Sequence, residues 1–143
     1  MDRPTPETVA QTLYIALSLT VRRLRQTRDD SLSVPEISAL VRLETTGPTT
    51  LTALAKLERI SAQSLGATLA GLESRSLVRR DPDPQDGRQS VVSVTDAGHV
   101  TLRSRRSGRA AQLSQALAGR FTVEELATLR DAAPLLERLA DAI

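Results

Sequence analysis

The sequence predicts a mainly α-helical chain that carries one small β-hairpin. Three observations point there. Apolar residues recur at spacings of three and four through most of the 143 positions. Start and stop signals bracket those stretches, with Ser33-x-x-Glu36, Thr122-x-x-Glu125 and Gly47-Pro48 the clearest. One stretch, Leu77 to Thr95, switches to strand-like patterning around a dense turn signal.

The first helix is expected from Pro6 to about Arg28, with Val9, Leu13, Ala16, Leu17, Thr20 and Leu24 on one stripe. The second starts at Ser33, whose capping box with Glu36 satisfies two end donors, and Pro35 falls where its missing N–H costs nothing. Ile37, Leu40, Val41 and Leu43 carry it to Gly47-Pro48. A third helix of barely two turns, capped by Thr52, holds Leu54, Ala55 and Leu57. Glu58-Arg59-Ile60 then reads as a tight turn, and Ser61 caps a fourth helix running to about Ser74 over Leu65, Leu69 and Leu72. Two short helices joined by three residues fit a helix-turn-helix.

Leu77 to Arg80 reads as a strand, Asp81 to Gly87 as a turn, and Ser90 to Thr95 as a returning strand with Val92 and Val94 on one face. A lone two-stranded hairpin is marginal in water, so it should pack on the preceding helices as a wing. Thr95-Asp96 opens a long helix with sparse apolar positions at Val100, Leu102, Leu113 and Leu117, weakened at Gly108 and ended at Gly119-Arg120. The last helix carries Leu126, Leu129, Ala133, Leu136, Ala140 and Ile143 at alternating spacings of three and four, a coiled-coil seam that Pro134 should kink or split. The first helix and the last two have apolar stripes with nothing obvious to cover them. A second copy of the chain is the simplest cover.

Composition excludes several chemistries. There is no cysteine and one histidine, His99. Disulfides, thiol nucleophiles, thiol redox sensing and multi-histidine metal sites within one chain therefore drop out. No apolar run nears the ~18 residues of a membrane span, and the polar N-terminus is not a secretory signal, so a cytoplasmic protein with no membrane partner is expected. Net charge is only +2, but residues 89–121 hold five arginines against one acid. The basic residues comprise 18 arginines and Lys56, and arginine favours bidentate contacts with phosphate and base edges. That balance permits nucleic acid as a partner. The acid pair Glu124-Glu125 sits in a helix's first turn, where carboxylates suit the dipole, so no enzyme is inferred.

Residues 51–98, and above all Asp81 to Gly98 (DPDPQDGRQSVVSVTDAG), resemble the MarR family of winged helix-turn-helix regulators. Asp86 and Arg88 two apart, a short strand, and Thr-x-x-Gly opening a helix carry the likeness. The family implies residues 1–31 as an N-terminal dimerisation helix, 32–98 as the winged DNA-binding region and 99–143 as C-terminal dimerisation helices, intertwined as one domain. It implies a homodimer that regulates transcription, as a repressor on a pseudo-palindromic double-stranded operator, released by a small-molecule effector. It implies neither catalysis nor a cofactor.

By that resemblance Ser61 to Ser74 lies in the major groove. Ser61, Gln63, Ser64 and Thr68 then become the base-edge candidates, Gln63 as a bidentate partner for adenine. Ser61 equally suits a cap. Arg88 becomes the wing-tip arginine of the minor groove, and Asp86 would lock its rotamer through a charge-assisted bond. Arg79, Arg80, Thr49 and Thr50 follow as phosphate contacts. Arg103, Arg105, Arg106 and Arg109 read as a solvated helix face. Val9, Leu13, Leu17, Leu126, Leu129, Leu136, Leu139 and Ile143 are expected in the dimer core. Aromatic scarcity argues for an aliphatic effector pocket, with Arg22 and Arg23 as anion partners. The rival reading is a winged-helix module that binds protein and lacks specific DNA contacts, since Ala67 stands where many relatives carry a basic residue.

Overall fold

A computed structural model describes residues 3–26 and 31–143. Its elements are α1 (Pro6–Gln26), α2 (Val34–Thr46), β1 (Thr49–Thr50), α3 (Leu51–Glu58), α4 (Ala62–Ser74), β2 (Val78–Pro82), β3 (Ser90–Val94), α5 (Asp96–Leu117) and α6 (Val123–Asp141). The expected run of the first helix to Arg28 lies outside the described residues. Two compact units result, one up to Arg106 and one from Ser107 to Ile143, divided inside α5.

The first unit is built on a leucine core. Leu40 and Leu43 of α2, Leu54 of α3, and Leu65, Leu69 and Leu72 of α4 are sealed from solvent, with Val92 of β3 and Leu102 of α5 beside them. Each such side chain contributes about 1.5–3 kcal/mol by leaving water. The capping box at α2 forms as the sequence predicts: Glu36 N–H donates to Ser33 Oγ at 3.3 Å, and Ser33 N–H donates to Glu36 Oε1 at 3.0 Å. Leu32 and Ile37 on either side of that cap hold hydrophobic-staple positions and join the core.

The start of α3 differs from expectation. Thr50, not Thr52, is the N-cap, its Oγ1 accepting from Ala53 N–H at 3.2 Å. Thr49 and Thr50 also form a strand, pairing antiparallel with Val92 and Val91. The sheet therefore has three strands in the order β1-β3-β2 rather than two. The physical reason is shared backbone geometry. Thr50, at φ −72° and ψ 155°, is extended, as both a strand residue and an N-cap must be. A two-residue strand leaves no period to read in a sequence.

β2 and β3 pair from Val78↔Val94 to Pro82↔Ser90. The next junction is tight. Thr95 Oγ1 donates to Ser76 O at 2.6 Å and accepts from Gly98 N–H at 3.1 Å, while Thr95 N–H donates to Leu77 O at 3.1 Å. These bonds press the first turn of α5 onto the Ser76–Leu77 link between α4 and β2. A Cβ at Gly98 would lie 2.3 Å from Leu77 O and 2.6 Å from Val94 Cγ1. Only glycine fits that approach.

In the second unit Gly119, at φ 73°, turns the chain after α5, and the Thr122–Glu125 capping box opens α6. α6 runs unbroken through Pro134, so the proline does not split it. Loss of one ladder bond there is outweighed by good helix formers on both sides and a fully capped start.

Gly98→Ala should lower stability by about 1–3 kcal/mol, because the obstructing atom is a backbone oxygen that cannot swing away. Thermal unfolding followed by circular dichroism reads this directly. An unchanged midpoint would show that α5 has room to move off Leu77.

Candidate nucleic-acid interface

α3 and α4 are joined by Arg59, whose left-handed backbone (φ 54°) returns its N–H to Ala55 O and Lys56 O. Glu58 stays at the end of α3, its side chain 11% exposed. It accepts from Ser38 Oγ and, at 3.0 Å, from Arg42 Nε, both on α2. That tie fixes the angle at which α3 leads into the turn.

Ser61 caps α4, accepting from Ser64 N–H at 3.0 Å and donating to Ser64 Oγ at 2.9 Å. Thr68, half-buried, donates to Ser64 O at 3.2 Å. These hydroxyls are engaged within the helix. Gln63 is exposed, and its amide makes no protein hydrogen bond among the described residues. With Leu65, Leu69 and Leu72 sealed inside, the outward face of α4 presents Gln63, Ala67 and Ala70. Gln63 is therefore the candidate on α4 with both donor and acceptor free for a base edge.

The helix is held on three sides. Arg75, just past its C-terminus, donates to Ser31 O at 2.7 Å and to Ser31 Oγ at 2.6 Å. Glu36 Oε2 lies 3.3 Å from where a Cβ on Gly71 would stand. On the wing side, Arg80 reaches Gly66 O at 3.2 Å and places Nε 2.9 Å from Glu73 Oε2. No sequence signal marks these ties, because their partners lie up to 44 residues apart and their spacing has no period.

The wing tip is a local network. Asp83 Oδ1 accepts from Gln85 N–H at 3.0 Å, and Gln89 N–H donates to Asp86 O at 3.0 Å. The family resemblance predicts that Asp86 locks the Arg88 guanidinium. Its Oδ1 instead accepts from the backbone N–H of Arg88 at 3.1 Å, and no ion pair joins the two side chains among the described residues. A carboxylate two residues back meets the main chain before it meets the end of a long side chain. The turn is fixed, and Arg88 projects exposed from it.

The weaker candidates sort by strand alternation. Arg79 faces solvent and pairs with Asp81 at 2.8 Å. Arg80 sits on the face of buried Val78 and is turned toward α4. Thr49 and Thr50 are half-buried, and Thr50 is spent on its cap. On α5, Arg106 bonds Glu44 of α2, and His99 Nδ1 lies 3.4 Å from the same carboxylate. Arg106 is thus a brace rather than one of a solvated row. No group of three metal-ligating side chains occurs among the described residues.

α1 and α6 bury no residue. Val9, Leu17, Leu126, Leu129, Leu139 and Ile143 are exposed, and Leu13 and Leu136 are half-buried. An open depression of about 580 Å³ along α1 is lined by Leu17, Ser18, Val21, Arg22, Arg25 and Gln26. No helix is long and apolar enough to cross a membrane among the described residues.

Comparison with known proteins agrees with this geometry. Residues 32–90 match the MarR family. An HTH-type transcriptional regulator of Mycobacterium bovis is 38% identical over 87% of this chain and 90% of its own length. One from Mycobacterium leprae is 34% identical over 93% of each chain. A regulator structure from Pseudomonas aeruginosa superposes with TM-score 0.83 at 30% identity, over 96% of this chain and 98% of its own. A mutant MarR from Escherichia coli shares the fold, with TM-score 0.75 at 21% identity over 97% and 99%.

The Arg106 hydrogen bond holds the Glu44 carboxyl below the usual carboxylate range, with His99 adding in the same direction. Its folded value is lower than its unfolded one. The stability it contributes is therefore present above about pH 4.3 and is lost as pH falls through the folded value. Glu44→Gln should flatten the acid limb of a urea-midpoint-versus-pH curve and leave the slope above pH 5 unchanged. An acid limb identical to wild type would mean that Glu44 does not carry it.

Proposed function

The chain belongs to the MarR family of transcriptional regulators, and from that premise we propose that it binds a double-stranded operator as a homodimer. One winged unit takes each half of a pseudo-palindrome, with half-sites about one helical turn (~10 base pairs) apart. In this reading the regulator is a cytoplasmic repressor. Residues 1–31 and 99–143 supply the dimer, and residues 32–98 supply DNA contact.

The observation that carries this reading is the pairing of two exposed side chains, Gln63 and Arg88, on one compact unit. Gln63 and Arg88 both face solvent, and each stands on backbone held by local hydrogen bonds. Gln63 meets an adenine edge in the major groove. Arg88 enters the neighbouring minor groove, where a guanidinium responds to width and A·T content. Ser61, Ser64 and Thr68 order the end of α4, whose first N–H groups favour phosphate. Arg79 and the Thr49–Thr50 strand flank the phosphate path. The open apolar faces of α1 and α6 are what a second copy would cover. The depression on α1, aliphatic with Arg22 and Arg25 at its edge, suits an anionic effector that releases the DNA.

Arg88→Ala should weaken operator binding at least tenfold, ~1.4 kcal/mol, in a titration at fixed salt. Unchanged affinity removes Arg88 from the interface, and a wild-type chain that shifts no duplex favours the protein-binding module instead. Leu129→Asp should yield monomer in sedimentation and lose operator binding, since Leu129 is exposed in the single chain and free to change without emptying a core. A stable, DNA-competent dimer would place the subunit contact elsewhere.

A further inference from the structure

Arg80 stands in the middle of β2, paired with Val92, and its side chain is 27% exposed. Strand alternation sends it to the inner face with Val78, while Arg79 and Asp81 take the outer one. There it crosses to α4. One terminal nitrogen donates to Gly66 O at 3.2 Å, and Nε, shut off from solvent, lies 2.9 Å from Glu73 Oε2 without hydrogen-bond alignment. Gly66 and Glu73 are two helical turns apart on one flank of α4, and a Glu side chain leans back toward the N-terminus. One planar guanidinium therefore meets two turns of the helix at once, by a hydrogen bond to one and an ion pair to the other. A phosphate contact needs the opposite orientation, with the guanidinium free and facing out.

We propose that Arg80 is a positioning residue: it sets the distance between the wing and α4, so that Arg88 and Gln63 reach their two grooves together. This rests on the operator-binding reading above. The charge of Arg80 is partnered by Glu73, so the pair adds little to the field that attracts DNA. It acts on sequence discrimination and not on general affinity.

The test uses the full chain, an operator duplex obtained by selection from random DNA, and an unrelated duplex of equal length. Arg80→Gln, Arg80→Lys and Glu73→Gln are compared with wild type across a salt series. Each should lose about tenfold on the operator and stay within about twofold on unrelated DNA, with an unchanged salt slope. Lysine should not rescue, because a single ammonium cannot grip both partners as the fork does. The Arg80→Gln/Glu73→Gln double variant should lose less than the product of the single losses. Unfolding midpoints recorded alongside show that each variant is folded at the titration temperature.

A phosphate contact makes contrary demands. Arg80→Gln would then lower both affinities and reduce the slope by about 0.9. Lysine would restore binding, and removing the acid at position 73 would tighten it. Any of those results overturns the proposal while leaving the operator reading intact. A wild-type chain that binds neither duplex overturns both.

Discussion

The surface of this protein depends on the burial of one leucine stripe. Leu65, Leu69 and Leu72 of α4 are sealed on the side where that helix meets α2, α3 and β2, and with them inside, the opposite face of α4 has nowhere to go but out. Gln63 is exposed because three leucines at spacings of four and three are not. The turn before α4 serves the same end. Arg59 accepts a left-handed backbone so that Ser61 can be extended and cap the helix. Moving that stripe by one residue would rotate every outward side chain by about 100°.

Charge in this chain is divided between bracing and reaching. Arg42, Arg75, Arg80 and Arg106 are each bonded to another segment of the first unit, through Glu58, Ser31, Glu73 with Gly66, and Glu44. Such part-exposed pairs add little stability one at a time. Their effect is geometric, since they connect α2 to α3, α5 to α2, and both ends of α4 to their neighbours. Arg88 belongs to the other group. Asp86 fixes its main chain and leaves the guanidinium uncommitted. In the proposed operator reading this suits a minor-groove contact better than a locked side chain would, because groove width varies with sequence and a free guanidinium can follow it.

The boundaries of what the sequence disclosed follow the range of the interactions. Ser33–Glu36, Thr122–Glu125, Ser61 and Gly119 were legible because a cap or a turn joins residues two to four apart. The sequence puts the α3 cap two positions late, at Thr52 rather than Thr50, since the strand partner of Thr50, Val91, lies 41 positions away and a two-residue strand has no period. Asp86 and Arg88 were rightly brought together, but which atom of Arg88 would be held depends on the bend of the turn. The sequence offers Arg80 as a phosphate contact because an arginine after a strand start looks the same whether it faces a helix or a solvent channel, and only the structure shows it turned toward α4.

By itself the sequence determined the order of the helices and of the hairpin, the caps at Ser33, Ser61 and Thr122, the leucine stripe that orients α4, and the exclusion of thiol and multi-histidine chemistry. All of these are set by local spacing and by which residues are present. Only the tertiary structure decided which arginines brace and which remain free, that a third strand completes the sheet, and that Gly98 must be glycine. Those outcomes turn on the distance between atoms far apart in the chain: 2.3 Å from a Gly98 Cβ to Leu77 O, and 3.2 Å from Arg80 to Gly66 O. No periodicity encodes such distances, because packing sets them after the helices and strands have formed.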